Sequence, residues 1–340
     1  MLAQPTFPQG SLTPPGPPAP TFKTLDQVEP RTPISALFLI SQPGSYYFTR
    51  NVTADTAGVD GIIIQASDVT VDLNGFELLG SPGSLNGIIV NGAAFTNICV
   101  RNGTVRGWGL RGVSAGSANG SLFENLIASK NGTEGLRTGN GCVVRNCIAR
   151  DNPQSGVSVS SGTVVIDCAA SFNLVGLTCG SGCTIRGCAA IDNIATGIVV
   201  VAGCSVSDCT VDGDGITPVG IFGSSMCQIR GCAVRGTTTD GIRLSGLALV
   251  ADNVCDGNTG SGIHAAGGRC RIEGNSVTLN GRGIETSAVA GTTNLVIRNS
   301  AGGNTTNYAF SGAVIFGPTN NLVGAGGVIT NQNPWANFSL

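Results

Sequence analysis

Charged residues and long apolar runs are both scarce in this sequence. Asp, Glu, Lys and Arg make up 11% of the 340 residues, and the formal net charge is -2. A nucleic-acid-binding protein needs a strongly basic face, so the composition argues against such a partner. The longest apolar stretch near the N-terminus, Ala36 to Ile40, is far too short to span a membrane. Leu2 follows Met1 without a basic segment or apolar run, so no signal peptide is expected in the given chain.

Helical periodicity is also missing from every stretch of a dozen residues. The 52 glycines would each cost a helix about 1 kcal/mol relative to alanine, which excludes the helical repeat folds. What the sequence has instead is a glycine followed by Ile, Leu or Val about every 21 residues. These glycines are Gly61, Gly87, Gly112, Gly135, Gly156, Gly176, Gly197, Gly220, Gly241, Gly262 and Gly283. A repeat of this period predicts a solenoid, in which residues one repeat apart become neighbours about 4.8 Å apart.

The runs between the glycines predict β-strands. In Cys183 to Asn193, residues alternate so that Ile185 and Ala190 point inward while Thr184 and Arg186 point outward. Asn recurs at one position of most repeats, where stacked side chains can bond to each other and to the turn backbone. Counted along the repeat, this column is Asn131, Asn152, Asn173, Asn193, Asp214, Thr237, Asn258 and Asn280. Glycine and Asn are expected at turns that need left-handed conformations. Three short strands per repeat predict an all-β, right-handed parallel β-helix of about eleven coils.

The segments GIRLSG at Gly241 and GIHAAGG at Gly262, each followed by an Asn-containing run, resemble the parallel β-helix repeats of the pectate-lyase-like superfamily. The resemblance covers residues 61–300 and implies the fold. It does not imply one activity, since the superfamily includes lyases, hydrolases, epimerases, tailspikes and adhesins. The Asn-Thr-Asp, Asp-Asp and Gly-His-Gly motifs of its polygalacturonases are missing here, as is the Asp-Pro-His motif of its alginate epimerases.

Four regions are predicted. Residues 1–34 hold nine of the 15 prolines and form an extended arm, which is either a linker or a strap along the solenoid. Residues 35–60 form an N-terminal cap, 61–300 the β-helix and 301–340 a C-terminal cap, because an open solenoid end exposes strand edges and apolar core. The aromatic residues expected to cover that second end are Tyr308, Phe310, Phe316, Trp335 and Phe338.

Thirteen cysteines fall mainly in two columns of the repeat. They are five residues apart within a coil, which does not match the spacing of zinc motifs. One interpretation is that cysteine serves as a small buried hydrophobe. The alternative is a series of disulfides between successive coils, because adjacent Cα atoms lie within the permitted range.

One outward column ends in polar residues. It is apolar or small over most of the chain, and Arg243, His264 and Glu285 then stand on consecutive coils, His264 being the only histidine. A histidine flanked by Arg and Glu could bind an acidic sugar and move a proton, so these three are the candidate catalytic residues. Phe222 and Arg137 in the same column are candidate substrate-binding residues, Phe222 by stacking on a pyranose ring. The alternative is an exposed polar ladder with weak charge pairing.

A second candidate site lies in the enlarged coil between Gly197 and Gly220. Asp212 and Asp214, with Asp256 on a following coil, offer the oxygen ligands that Ca²⁺ prefers, and Arg235 is a further substrate-binding candidate. Pectate lyases use Ca²⁺ to bind and acidify a uronate, so calcium is the one cofactor that the resemblance suggests. Asp-Gly-Asp-Gly is also ordinary turn chemistry.

Two functions are consistent with these observations. The first is a secreted or surface protein that interacts with an acidic polysaccharide, as a lyase or hydrolase if it is an enzyme. The second is a non-catalytic structural or adhesive solenoid that forms an oligomer or filament through its N-terminal arm and caps.

Overall fold

The computed structural model describes residues 29–92, 94–322, 329 and 331–340. Within these residues all regular structure is β, and the strands wind into a parallel solenoid of about 13 coils. The predicted fold class is confirmed. The coil count exceeds the eleven expected because the first and last coils, at Phe38–Ile40 and Thr306–Ser311, lack the repeat glycine that marks the others.

Each coil contributes up to three strands, which stack into three faces. The first face follows the repeat glycine and is a separate sheet of 13 strands. Its strands are Phe38–Ile40, Ile62–Ile64, Ile88–Val90, Val113–Ala115, Leu136–Thr138, Ser155–Val159, Val175–Cys179, Thr196–Val200, Val219–Gly223, Ile242–Leu244, Ser261–Ala265, Arg282–Ser287 and Thr306–Ser311.

The second and third faces belong to one sheet of 26 strands. The strands of the second face are Thr32–Ile34, Gly44–Phe48, Val69–Asp72, Val143–Arg145, Val164–Ile166, Thr184–Arg186, Ser205–Ser207, Gln228–Arg230, Leu249–Ala251, Arg271–Glu273, Thr293–Ile297 and Ala313–Phe316. Those of the third face are Val52–Thr53, Glu77–Leu79, Ile148–Arg150, Ala169–Ser171, Ala189–Ile191, Thr210–Asp212, Ala233–Arg235, Val254–Asp256, Ser276–Thr278, Ser300–Gly302, Thr319–Asn321 and Asn337–Ser339. Ile98–Arg106 and Leu122–Ser129 run through both faces, and Phe95–Thr96 pairs with Ala118–Asn119 in a small sheet of their own.

The repeat glycines are required by close approach of the backbones. A Cβ on Gly156 would lie 2.6 Å from Asn173 Nδ2 and 2.9 Å from the carbonyl oxygen of Gly176 on the next coil. None of the repeat glycines has a φ in the left-handed region. The left-handed positions are the corners, where Gly141 has a φ of +62° and Asn146 one of +53°.

The predicted asparagine ladder lies at the corner between the third and first faces. Asn173 is fully buried, and its Oδ1 accepts hydrogen bonds from the backbone N–H and Nδ2 of Asn152. In the enlarged coil the ladder position is taken by the buried Thr217, whose hydroxyl donates to the Asn193 carbonyl at 2.6 Å. Asp214, expected in this column, is instead exposed in a loop, because the extra residues of the coil bulge outward.

The interior is a stack of Ile, Val, Leu, Ala and Cys side chains. Ile185 and Ala190 are fully buried, as the alternation predicted. All 13 cysteines are free thiols; Cys99 is partly exposed and the others are buried. Burial raises the pKa of the Cys179 and Cys255 thiols, so both are held as neutral core residues. This is the arrangement expected of cysteine as a small hydrophobe.

The two ends of the described solenoid differ in composition. Thr32–Ile34 and Gly44–Phe48 already pair in register at the N-terminal end. At the other end Tyr308, Phe310 and Phe316 form a ring cluster against the core, with centroids 4.8 to 6.1 Å apart. Residues 1–28 of the predicted arm lie outside the described residues, and the four-region division of the chain stays a prediction.

Candidate functional site

Four predicted site residues lie in one row on the outer side of the first face. Phe222, Arg243, His264 and Glu285 are direct partners on successive coils of the parallel sheet. The repeat spacing predicted this row, and the strand register brings its members together at the usual distance of about 4.8 Å.

Asp240 completes a histidine–carboxylate pair that the repeat spacing did not predict. It is 6% exposed and lies immediately before the repeat glycine Gly241. Its Oδ2 is 2.9 Å from His264 Nδ1, and its Oδ1 accepts a hydrogen bond from the Ser261 N–H at 3.1 Å. Arg243 lies on the other side, with Nη1 3.7 Å from the same Oδ2.

These contacts keep Asp240 ionised. Burial, the largest single effect, raises the pKa of its carboxyl, whereas the hydrogen bonds from His264 and the Ser261 N–H lower it. The charges of His264 and Arg243 act in the same direction, and the net pKa is below its ordinary value. An ionised carboxylate can only accept, so His264 Nδ1 donates in this pair. In neutral His264 the lone pair is therefore on Nε2, 3.4 Å from the Ser287 hydroxyl.

Glu285 is held on the opposite side of His264. Its Oε2 accepts a 2.6 Å hydrogen bond from the buried hydroxyl of Ser261 and lies 3.2 Å from Arg282 Nη1. Ser261 thus bonds to both carboxylates of the site, to one through its N–H and to the other through its side chain. The result is a fixed Asp240–His264–Glu285 cluster with an arginine at each end.

The donor atoms of this cluster all lie within 4.8 Å of one another. Among the described residues it is the one place where at least three His, Cys, Asp or Glu side chains could share a metal ion. The aspartates predicted to bind calcium, Asp212, Asp214 and Asp256, do not form such a group of closely spaced donor atoms.

The predicted calcium site lies on the third face and its adjoining loop. Asp212, Asp214, Arg235 and Asp256 do line one shallow pocket. Arg235 Nε is 2.8 Å from Asp212 Oδ2, so an arginine neutralises that carboxylate, and the Asp256 carboxylate accepts from the Thr278 hydroxyl at 2.6 Å. Calcium binding by the three aspartates, and substrate binding by Arg235, stay predictions.

Arg137 belongs to the first face but not to the His264 cluster. It is six coils away in the same row, 3.7 Å from Glu134, which is also paired with Arg111. About half of the Arg137 side chain is exposed, so its donors remain available. Its predicted role in binding substrate stays a prediction.

Asp240 and Ser261 were missed because both precede their repeat glycine. In an ideal strand, residues three apart point to opposite sides. The first-face strands skip the glycine in their pairing: Ser261 aligns with Arg282 and Ile263 with Ile284, but Gly262 has no partner in the register. Ser261, immediately before the glycine, is on the same side as His264, two positions after the glycine, because its hydroxyl bonds to Glu285, the partner of His264. The signal in the sequence was the polar run Asp240, Ser261 and Arg282 in the column before the glycine.

The sequence matches the family described as the right-handed beta helix region, over residues 40–171, 86–234 and 173–324. These overlapping segments extend from residue 40 to 324, and the chain belongs to this family. The predicted resemblance to the pectate-lyase-like β-helix is confirmed. A comparison with curated protein sequences found no match.

Three solved structures illustrate the fold. The Dettilon tailspike protein (gp208) has a TM-score of 0.50 at 14% identity, covering 90% of this chain and 60% of that one. A variant of the periplasmic alginate epimerase AlgG gives 0.50 at 12% identity, covering 91% and 76%. A tailspike variant of E. coli bacteriophage HK620, in complex with a pentasaccharide, gives 0.51 at 12% identity, covering 87% and 72%. At such low identity the similarity shows the fold alone. The described part of the chain contains no helix with the length and hydrophobicity of a membrane span.

Proposed function

We propose that this protein acts on an acidic polysaccharide and removes a proton from a uronate ring at the His264 site. The observation that carries the proposal is the 2.9 Å contact between His264 Nδ1 and the buried Asp240 carboxylate, with the Arg243 guanidinium on the adjoining coil. A secreted or surface location is part of the same proposal, because such polymers are extracellular.

The base in this reaction is Nε2 of His264. Asp240 fixes the tautomer in which Nδ1 carries the proton, so Nε2 keeps its lone pair and can abstract a proton. The carboxylate also stabilises the imidazolium that results. Asp240 does not reach the substrate and is therefore a positioning residue. The His264 side chain is 15% exposed, enough for Nε2 to face a bound sugar while the remainder of the ring stays fixed.

Arg243 is the group that would make the sugar proton acidic. Its side chain is 44% exposed and its contact with Asp240 is long, at 3.7 Å, so several guanidinium donors stay free. A guanidinium binds a carboxylate through two parallel hydrogen bonds. Neutralising the uronate carboxylate in this way stabilises the negative charge that develops when the proton on the adjacent ring carbon, C5, is removed. The half-buried Phe222, one coil further away, offers a ring on which a pyranose can stack.

Hydrolysis of a glycosidic bond receives less support from this geometry. That reaction normally uses two carboxyl groups, one of them protonated, on either side of the bond. Here Asp240 is bound to His264 and ionised, and Glu285 is bound to Ser261 and Arg282. Neither is free to protonate a leaving group, so elimination or epimerisation of a uronate is the better match.

Solved structures with the same fold support a polysaccharide as the partner. One is described as an alginate epimerase, and another was solved with a bound pentasaccharide. The elongated first face, with Arg137 six coils from His264, would suit a linear anionic chain lying along the solenoid axis. A non-catalytic structural role, with self-assembly into an oligomer or filament, remains the second candidate, and no contact among the described residues favours it.

A panel of polyuronates tests the proposal, read both for binding and for unsaturated products or changed C5 configuration. His264→Gln is expected to lower kcat by about 10²- to 10⁴-fold, the usual contribution of a general base, with little change in KM. Arg243→Ala should raise KM as well as lower kcat. Arg186→Ala on the second face makes the same change of charge and should leave both constants unaltered. Turnover that survives His264→Gln would overturn the assignment of the base, and absence of binding to every polyuronate would overturn the substrate class.

A further inference from the structure

Trp335 is half-exposed, although it is one of the aromatic residues expected to cover the C-terminal end of the core. Its exposed fraction is 45%. Tyr308, Phe310 and Phe316 pack against the core as a ring cluster, and Trp335 is not part of that cluster. Burial of the core therefore does not explain why a tryptophan occupies this position.

The surrounding residues nonetheless hold the Trp335 ring and its loop in place. The guanidinium carbon of Arg298 lies 4.2 Å from the ring centroid, and Arg298 Nε donates to the Pro334 carbonyl at 3.0 Å. The backbone N–H of Trp335 donates to Asn333 Oδ1 at 2.8 Å. The loop lies directly against Gly317, where a Cβ would collide with the Trp335 carbonyl oxygen. An exposed ring that is already fixed in this way loses little conformational entropy when it binds a ligand.

Trp335 lines a cavity of about 340 Å³ on the outer side of the second face. Leu295, Ile297 and Ile315 contribute to its apolar lining, and Ile315 is 62% exposed. Arg298 is not among the lining residues, so the side of the indole that meets the cavity is not the side that the guanidinium covers. The volume falls within the range of about 300–1,000 Å³ that is usual for small-molecule sites.

Two polar side chains line the same cavity. The Arg271 side chain is 46% exposed, and its Nη2 lies 2.7 Å from Glu273 Oε2, which leaves the other guanidinium N–H groups available. Asn333 uses its Oδ1 for the Trp335 N–H, so its Nδ2 is left as a donor. An entirely apolar ligand would cover these donors without replacing their hydrogen bonds to water. The cavity therefore suits a ligand that has one apolar face and hydrogen-bond acceptors at its edge.

We propose that this cavity binds a pyranose residue of a polysaccharide, at a site separate from the His264 cluster. A pyranose ring has a face of C–H groups that stacks on an indole, and hydroxyl oxygens at its edge that accept hydrogen bonds from Arg271 and Asn333. The cavity is on the second face and His264 is on the first, so one sugar residue does not occupy both sites. Sugar binding in the cavity does not depend on the proposed function. A role as an anchor, which raises the affinity for a long polymer while His264 acts on it, does rest on that function.

Tryptophan fluorescence of the full chain tests the inference, because the chain has only two tryptophans and the other, Trp108, is 1% exposed. The titrations use oligosaccharides of galacturonate, of mannuronate and of glucose. They are made in a parent protein that carries Arg243→Ala and His264→Gln, so that the first-face site is disabled. A saturable change in emission with at least one of the three oligosaccharides is the expected result. No change with any of them would overturn the inference.

Titration calorimetry with the same oligosaccharide measures the affinity without the fluorophore. Trp335→Ala in the parent protein should raise Kd at least about 10-fold, as truncation of a central aromatic residue does, and Trp335→Phe should raise it less. Phe172→Ala is the matched control, because Phe172 is a 54% exposed aromatic residue on a distant coil, and it should leave Kd unchanged. An unaltered Kd in Trp335→Ala, or an equal loss in Phe172→Ala, would overturn the inference. Neither measurement reads proton removal at C5, so failure of this inference and failure of the proposed function are distinguishable.

Discussion

Removal of one rung of the asparagine ladder should destabilise the solenoid far more than an ordinary substitution does. Asn173 is fully buried and its side chain takes part in four hydrogen bonds. Oδ1 accepts from the N–H and Nδ2 of Asn152, while Nδ2 donates to the Ala149 carbonyl at 3.0 Å and to Asn193 Oδ1 at 3.2 Å. Asn173→Ala leaves all four partner atoms without this side chain.

The magnitude follows from which partners keep another bond. Asn152 Nδ2 still donates to the Ala128 carbonyl, and Asn193 Oδ1 still accepts from the Asn173 N–H. The Asn152 N–H and one acceptor site of the Ala149 carbonyl lose their partner. Each buried group that is left without a hydrogen bond costs about 1–3 kcal/mol of stability. We therefore expect Asn173→Ala to lower the free energy of unfolding by about 4 kcal/mol.

The chain itself supplies a milder replacement. Thr237 occupies a ladder position, where its N–H and hydroxyl both donate to Asn258 Oδ1. Asn173→Thr should accordingly cost about half as much as Asn173→Ala. The exposed Asn140 serves as control, and Asn140→Ala should cost less than about 1 kcal/mol.

Equilibrium urea denaturation, followed by circular dichroism and by hydrogen exchange of the affected coils, measures these differences. Exchange is included because a solenoid can open locally without unfolding as a whole. A loss below about 1 kcal/mol for Asn173→Ala, or equal losses for Ala and Thr, would refute the reasoning.

Three further predictions concern the backbone, the site and the thiols. Gly156→Ala should lower the free energy of unfolding by about 3 kcal/mol, because the added Cβ would lie 2.6 Å from Asn173 Nδ2. Gly141 is left-handed but has open space around it, so Gly141→Ala should cost about 1 kcal/mol. Equal losses for the two variants in urea denaturation would contradict this. The pKa of Asp240 is lowered in the folded state. The ionised carboxylate therefore contributes fully to the free energy of unfolding above the unfolded pKa of about 3.9, and this contribution is lost as pH falls through the lower folded pKa. The stability difference between wild type and Asp240→Asn should therefore shrink below about pH 4, and a difference that stays constant down to pH 2 would count against the pair. A thiol reagent should modify only Cys99 in the native protein and all 13 cysteines after denaturation; fewer than 13 after denaturation without reductant would indicate disulfides.

The repeat period was sufficient to predict the fold and one row of the candidate site. Once the glycines are aligned, parallel pairing leaves no freedom for Arg243 and His264 to be anywhere but on adjoining coils. The partners from the column before the glycine could not be predicted, because regular strand alternation does not extend across the glycine: Asp240 precedes its strand and Gly262 is unpaired in the register. Asp240 lies outside the strand Ile242–Leu244, and its carboxylate contacts His264 on the next coil.

In the enlarged coil, counting residues by the repeat period gave a wrong position. Counting residues put Asp214 in the asparagine column, but the backbone is free to bulge where a coil has extra residues. Thr217 restores the ladder hydrogen bond, and Asp214 moves to the surface. A buried ladder position needs a side chain that can form a hydrogen bond to the preceding coil, as Thr217 does. Counting residues along the sequence does not take this requirement into account.

The most direct test of the proposed chemistry is exchange of the C5 proton of a polyuronate in D₂O, followed by NMR. The C5 proton is lost if the product is unsaturated and is replaced by deuterium if the product is epimerised. The measurement therefore does not depend on which product forms. Proton removal by the wild-type protein, reduced at least about 10²-fold in His264→Gln and unchanged in Arg186→Ala, is the predicted result. Equal rates of C5 exchange in wild type and His264→Gln would contradict the assignment of the Asp240–His264 pair as the base.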